Sequence, residues 1–187
     1  MKGRSTKFKV QNTRSPAIST FELRPSNFQR LWAPWRTTYL TTAIGGRQPC
    51  VFCAARRSRN DRKAHVLLRG RRAFVILNKY PYNNGHLMVA PARHVGGLDR
   101  LTRAEVDELM RLTTRMTKLL TQTLKPHGFN VGLNIGRVAG AGFPGHLHLH
   151  VVPRWSGDTN FMPVLGHTKV ISQSLDALYE HLRARLR

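Results

Sequence analysis

Acidic residues are scarce in this chain of 187 residues, which contains 9 Asp and Glu against 31 Lys and Arg. The resulting formal net charge of +22 at pH 7 produces a field that attracts polyanions. A nucleotide's phosphates, RNA and an anionic membrane surface all fit that field, and charge alone does not choose among them. The basic residues are scattered, with clusters at 56–72 and 183–187 and little aromatic interleaving, so a dedicated nucleic-acid surface is the less favoured interpretation.

Cysteine and long apolar runs are also scarce. The two cysteines, Cys50 and Cys53, exclude a disulfide framework, and their Cys-x-x-Cys spacing favours metal or redox chemistry in a reducing compartment. No stretch approaches the roughly 20 apolar residues that a membrane span requires. We therefore predict a cytoplasmic protein with no membrane partner.

The N-terminal region differs in composition from the rest of the chain. Residues 1–28 are rich in Lys, Arg, Ser, Thr and Asn, and Glu22 is their single acidic residue. They lack the apolar segment of a secretory signal, although an organellar transit peptide has a similar Arg- and Ser-rich composition. We predict a basic, disordered extension over 1–28, followed by one folded domain over 29–187 that opens near Leu31.

The remaining sequence predicts strands around one long helix. Thr102 and Glu105 form a capping box, and apolar residues follow at helical spacing until near Pro126. Strands are predicted at 72–78, 86–90, 129–135, from 146 onward and at 164–171, with a C-terminal helix at 175–186. Because strands and helices do not alternate regularly, we predict an α+β domain built on an antiparallel sheet.

Three histidines alternate with apolar residues at His146, His148 and His150. Successive strand residues face opposite ways, so the imidazoles would share one face while the residues between them enter a core. A single strand histidine is usually a hydrogen-bonded neighbour of the core. Burying a row of three is costly, since each neutral ring needs a donor and an acceptor, so such a row indicates a chemical function.

A glycine-rich segment, with Gly136, Gly140, Gly142 and Gly145, leads directly into this row. Such a loop lets backbone amides approach a phosphate closely. A neutral histidine can attack phosphorus, and a neighbouring histidine can hold it in the correct tautomer. The sequence therefore predicts phosphoryl or nucleotidyl transfer, with the central His148 as nucleophile.

The triad followed by two hydrophobic residues resembles the histidine triad (HIT) family of nucleotide hydrolases and transferases. Further segments, at 31–36 (Leu-Trp-Ala-Pro-Trp-Arg), 50–53, 77–88 and 151–155, are similar to the diadenosine tetraphosphate phosphorylase branch of that family. The resemblance spans about 31–171. It implies a HIT-like α+β fold over 29–187, in which a sheet of about five antiparallel strands packs with one long helix and a C-terminal helix.

The same resemblance implies an activity. The chain would cleave dinucleoside polyphosphates through a nucleotidyl-histidine intermediate, with inorganic phosphate as acceptor, and would form a homodimer through the long helix and adjoining strands. Two alternatives stay open: a hydrolase of dinucleoside polyphosphates or nucleoside phosphoramidates, and a nucleotide- or RNA-binding regulatory module whose basic tail supplies affinity for nucleic acid.

Residues that match the family's motifs receive roles from the resemblance. His148 would take the nucleoside monophosphate, His150 would orient it, and His86 would assist. The implied substrate-binding residues are Asn78 at the ribose, Asn134 and the Gly145 backbone at the α-phosphate, and Trp155 over the base or against a dimer partner. Asn78 would alternatively open a turn, and Trp155 would alternatively pack in an interface or core.

Two further expectations concern the leaving group and a metal. The family's small hydroxyl residue before the triad is missing, since 142–144 read Gly-Phe-Pro, which leaves water, a lysine or an arginine such as Arg137 to assist departure. Cys50 and Cys53 could supply two zinc ligands, and His94 and His146 match the other two in zinc-bearing relatives. A redox pair or two buried thiols are the alternatives, and no organic cofactor is expected.

Overall fold

The computed structural model describes residues 49–160 and 170–186. Within these ranges the chain forms three α-helices, α1 (Val51–Arg57), α2 (Arg103–Leu124) and α3 (Leu175–Ala184), and five strands, β1 (Val66–Arg69), β2 (Ala73–Leu77), β3 (Leu87–Pro91), β4 (Gly128–Leu133) and β5 (Leu149–Arg154). Among the described residues, no helix has the length and apolar character needed to cross a membrane. The predictions for 1–28, for Leu31 and for 164–169 fall outside the described residues.

The five strands form one antiparallel sheet in the order β1-β2-β3-β5-β4. β2 and β3 form a hairpin whose register runs from Ala73 opposite Pro91 to Leu77 opposite Leu87. The chain then leaves the sheet through α2 and returns so that β5 lies between β3 and β4. This order sets Met88 of β3 opposite His150 of β5, in the centre of the sheet.

The two faces of the sheet are both covered. On one face, alternate residues of β2, β3 and β5 pack with α2 and α3; this core includes Val75, Leu87, Val89, Val151, Leu112, Met116, Leu120 and Leu182. On the other face, Phe74, Ile76 and Met88 pack against Phe52 of α1. Each such side chain, fully buried, stabilises the fold by about 1.5–3 kcal/mol before entropy is counted. The histidines lie on the second face, because His150 pairs with Met88.

Helix α2 begins where the sequence predicts. The Thr102 side chain accepts a hydrogen bond from the Glu105 amide, and the Glu105 carboxylate accepts one from the Thr102 amide. The helix ends at Leu124, and its C-cap Lys125 has a left-handed φ of 49° immediately before Pro126. The predicted α+β arrangement, with a five-stranded sheet, a long helix and a C-terminal helix, is confirmed.

Several boundaries differ from the predictions. The strand of the histidine row begins at Leu149 rather than His146, because the Leu147 amide donates to the Val95 carbonyl, 2.7 Å away, instead of to a sheet neighbour. The strand predicted at 129–135 ends at Leu133. The sequence predicts neither strand β1 nor helix α1, because both lie in an arginine-rich segment whose composition is typical of a solvated surface.

Candidate active site and metal cluster

The three histidines of the row are buried, and their rings form one continuous group. The rings of His148 and His150 have centroids 4.9 Å apart, and Phe52 lies 5.1 Å from His146 and 4.6 Å from His148. His146 and His148 precede β5, yet the His148 ring lies beside that of His150, and Phe52 contacts both His146 and His148. The shared surface predicted from the alternation therefore forms, although only one member lies in the strand.

His148 has the tautomer that a nucleophile requires. Its Nδ1 lies 2.8 Å from the backbone carbonyl oxygen of His146, which can only accept, so Nδ1 carries the proton. Burial lowers the pKa of His148 below its usual value of 6.5. A neutral ring protonated at Nδ1 has its lone pair on Nε2, and that nitrogen can attack phosphorus. The contact that orients His148 is thus a backbone carbonyl, whereas the sequence suggested His150.

His150 is held by a different set of contacts. The Tyr82 amide donates to Nδ1 of His86 at 3.0 Å, so the proton of His86 is on Nε2, which lies 2.9 Å from Nδ1 of His150. Burial, followed by the nearby His150 and His148, lowers the pKa of His86 to about 3 and keeps the ring neutral. In its neutral form His150 therefore carries its proton on Nε2, and it can donate to a phosphate oxygen.

His86 and His150 form a relay of two imidazoles, and the two asparagines predicted at the substrate lie near it. Asn134 places its amide 3.5 Å from Nε2 of His150, where it can contact the same phosphate oxygens. The Asn78 side chain accepts from the Tyr80 amide at 2.9 Å and lies 3.2 Å from Nδ1 of His86. The turn alternative for Asn78 is therefore realised, and its contact with a ribose stays a prediction.

Glycines shape the loop that precedes the histidine row. Gly136 and Gly140 have φ values of 82° and 88°, which a residue with a Cβ rarely adopts. A Cβ on Gly96 would meet the Pro144 carbonyl oxygen at 2.8 Å, so this loop packs closely on the segment after β3. A Cβ on Gly145 would meet Nε2 of His94 at 3.3 Å. Gly145 thus lies beside His94, and its contact with a phosphate stays a prediction.

Trp155 is not brought to the histidines. Its indole Nε1 donates to the Lys125 carbonyl at the end of α2, 3.2 Å away. It follows β5 at the end opposite His148, about 20 Å away at the usual rise of a strand. Its place over a base or against a dimer partner stays a prediction.

Two aromatic residues of the site were missed by the sequence reasoning. Tyr82 stacks on His150, with ring centroids 5.7 Å apart and planes at 22°, and also contacts His86. Phe52 contacts both His146 and His148. Tyr82 precedes His86 in a dense turn, and Phe52 lies between the two cysteines, but neither position signals a ring contact with histidines more than 60 residues away.

Cys50, Cys53, His94 and His146 form a cluster whose four ligand atoms all lie within 4.8 Å of one another. Sγ of Cys53 lies 3.2 Å from Nδ1 of His94 and 3.6 Å from Nδ1 of His146, and Sγ of Cys50 lies 3.4 Å from the latter. His146 donates from Nε2 to the Pro91 carbonyl at 2.9 Å, which leaves the lone pair on Nδ1 facing the sulfurs. The donor set and its spacing fit one tetrahedral metal ion.

Comparison with known proteins agrees with this fold. A model of the HIT domain matches residues 59–157. The AP-4-A phosphorylase of Mycobacterium tuberculosis (strain H37Rv) is 44% identical over 153 residues, which cover 79% of this chain and 78% of that protein. The chain belongs to the HIT domain family.

Solved structures show the same fold. A histidine triad nucleotide-binding protein from Sulfolobus tokodaii superposes with a TM-score of 0.58 at 25% identity, covering 72% of this chain and 90% of that one. A Zn-bound histidine triad family protein from Mycobacterium smegmatis has a TM-score of 0.53 at 22% identity, covering 80% of this chain and 91% of that one.

Proposed function

We propose that this protein cleaves dinucleoside polyphosphates, diadenosine tetraphosphate among them, by phosphorolysis through a nucleotidyl-histidine at His148. The observation that carries the proposal is the buried, neutral His148, whose Nδ1 proton is held by the His146 carbonyl. The identity of 44% to a protein named AP-4-A phosphorylase supports the choice of substrate and of phosphate as acceptor.

The reaction proceeds in two substitutions at one phosphorus. Nε2 of His148 attacks the α-phosphorus of diadenosine tetraphosphate, a P–N bond forms, and the bond to the bridging oxygen breaks with its electron pair leaving on ATP. An oxygen of inorganic phosphate then attacks the same phosphorus, the P–N bond breaks, and ADP departs. His148 returns to its neutral form, so substrate and phosphate yield ATP and ADP.

Charge that develops on the phosphoryl oxygens needs donors nearby. His150 supplies an N–H that is held in place by His86, and Asn134 supplies an amide at 3.5 Å from that nitrogen. The amides of the glycine loop add further donors close to the row. The positive net charge of +22 favours approach of a polyphosphate over long distances.

The metal in our proposal is zinc, held by Cys50, Cys53, His94 and His146. Thiolate and imidazole are the ligands that structural zinc prefers, and four protein ligands leave no open position for substrate. Zinc would tie α1 to the segment before β5. Metal analysis of protein purified without chelator should find about one zinc per chain, and the Cys53→Ser variant should lose it. Absence of zinc in both proteins would leave the redox or buried-thiol alternatives.

We also propose a homodimer. Val106 and Met110 are exposed on α2, with 41% and 51% of their surface accessible, and Val131 is 46% accessible on β4, an edge strand of the described sheet. Light scattering of the purified protein should give twice the chain mass of 21.3 kDa. A mass equal to that of one chain would contradict the proposal.

The activity is tested by incubating the protein with diadenosine tetraphosphate, with and without inorganic phosphate, and identifying the nucleotides formed. Phosphorolysis predicts ATP and ADP that appear only with phosphate. Equal rates in both samples, with ATP and AMP as products, would instead establish a hydrolase. A third outcome is that the protein binds nucleotide or RNA without turnover. Binding that is unchanged in His148→Ala and weakens steeply with salt would favour the regulatory module.

A further inference from the structure

Phe52 lies in α1 between the two cysteines of the metal cluster and has 1% of its surface exposed. We propose that Phe52 is a positioning residue for His148, through which the metal cluster fixes the plane of the nucleophilic ring. This inference rests on the proposed function, since it names the residue that orients the proposed nucleophile.

The geometry shows contact along a ring face. The Phe52 ring lies 4.6 Å from the His148 ring with the two planes at 30°, close to a stacked arrangement. Phe143 meets Phe52 edge-on at 6.2 Å. One face of His148 is therefore covered by Phe52, while its Nδ1 edge is held by the His146 carbonyl. A planar ring held at one face and one edge has little freedom to turn.

Both restraints on His148 come from segments that carry metal ligands. Phe52 is flanked by Cys50 and Cys53, and the carbonyl belongs to His146, whose ring is itself a member of the cluster. A metal ion that draws the two segments together therefore also brings the restraining groups against His148. In this role the cluster needs no contact with substrate.

Helix α1 depends on such a tie. It has 7 residues, and its N-cap Cys50 makes no side-chain capping hydrogen bond. A helix this short is not stable by itself in water. Arg69 fixes its C-terminal end by donating to the carbonyls of Ala55 and Arg56. The cysteines fix the other end, where Phe52 lies.

The test compares Phe52→Leu with Phe74→Leu. Both phenylalanines are buried in the same apolar cluster, so both changes remove a ring and keep an aliphatic side chain. Among the ring contacts of the described residues, Phe52 and not Phe74 meets His148. Phe52→Met, whose flexible side chain refills more of the space, is the second variant if Phe52→Leu does not fold.

Two measurements are made on each variant after its metal content is shown to be unchanged. The single-turnover rate of nucleotidyl-His148 formation should fall about 10- to 100-fold in Phe52→Leu, with KM little changed, because misplacement of a reacting group slows chemistry. In the ligand-free protein, nitrogen NMR should show His148 as one Nδ1–H tautomer in wild type and in Phe74→Leu, and as a mixture in Phe52→Leu.

Other outcomes would overturn the proposal. An equal loss of rate in Phe52→Leu and Phe74→Leu would show that the loss comes from general packing of the apolar cluster. A raised KM with an unchanged single-turnover rate would show that Phe52 instead lines the substrate pocket. An unchanged His148 tautomer in Phe52→Leu would also contradict it. If wild type forms no adduct, the proposed function fails, but the NMR comparison still decides whether Phe52 orients His148.

Discussion

His148 and His150 lie side by side, but the contacts that fix their rings come from different parts of the fold. His148 is held by a backbone carbonyl and contacted by Phe52, both in segments that carry members of the four-residue cysteine–histidine cluster. His150 is held by His86, whose own proton is placed by the Tyr82 amide in the loop between β2 and β3. One end of the row thus lies beside the cysteine–histidine cluster, and the other depends on the contact between His86 and His150.

This difference predicts that the two ends of the histidine row respond to different treatments. With zinc bound as we propose, the His148 end should respond to chelators and cysteine substitution, because those treatments would release the segments around His148. The relay end should respond to acid, because protonating His86 would remove the acceptor that receives the Tyr82 amide. Variants at the two ends therefore should fail in different assays.

The largest effect is expected from His148→Ala, which removes the nucleophile. Turnover of diadenosine tetraphosphate should fall by about 10³-fold or more, since no other group can form the same intermediate. The measurements are the steady-state rate and mass spectrometry of the trapped adduct. His181→Ala, on α3 and outside the histidine row, is the control and should keep its rate. An adduct that persists in His148→Ala would place the nucleophile elsewhere.

Cys53→Ser should destabilise the segments around His148 by removing one ligand of the proposed zinc site. Loss of a structural zinc removes folding free energy, and we expect the free energy of unfolding to fall by about 3 kcal/mol or more. Urea denaturation with and without added zinc measures the change, and zinc should stabilise wild type alone. A variant as stable as wild type, under conditions where wild type holds metal, would refute a structural role for the cluster.

The sequence predicts elements that are determined locally and misses those that depend on distant contacts. The capping box of Thr102 and Glu105 and the hairpin of β2 and β3 were predicted, because short-range spacing specifies both. β1 has 4 residues and α1 has 7, and both owe their stability to packing that composition does not reveal.

The site shows the same division. The alternation at 146–150 identified the three histidines, while the cluster partner His94 came only from the family resemblance. The contact between His86 and His150 joins residues 64 positions apart, and it exists because β3 and β5 pair with Met88 opposite His150. No local pattern specifies that register, so the relay could not be derived from the chain alone.

His86→Asn should alter the acid response of the relay end. The pKa of His86 is lowered from 6.5 to about 3 in the folded protein. Between these values the unfolded chain binds a proton that the folded chain does not, so His86 destabilises the fold as pH falls from 6.5 towards 3. From pH 6.5 to 4.5, wild type should therefore lose roughly 2 kcal/mol more stability than His86→Asn.

Urea denaturation at the two pH values measures this difference. His127→Asn is the control, because His127 is exposed and contacts Ser156 far from the row, and its pH dependence should match that of wild type. Identical pH dependence in wild type and His86→Asn would show that His86 is not held neutral by burial.

The smallest effect is expected outside both ends, at the start of α2. Thr102→Ala removes the capping oxygen that accepts from the Glu105 amide, so the free energy of unfolding should fall by about 1 kcal/mol. Thr114→Ala, at an exposed position in the same helix, should have little effect. Because α2 packs on the sheet face opposite the histidines, the turnover and zinc content of Thr102→Ala should equal those of wild type. A loss of activity in Thr102→Ala would mean that stability of the scaffold, rather than the contacts at either end of the row, limits catalysis.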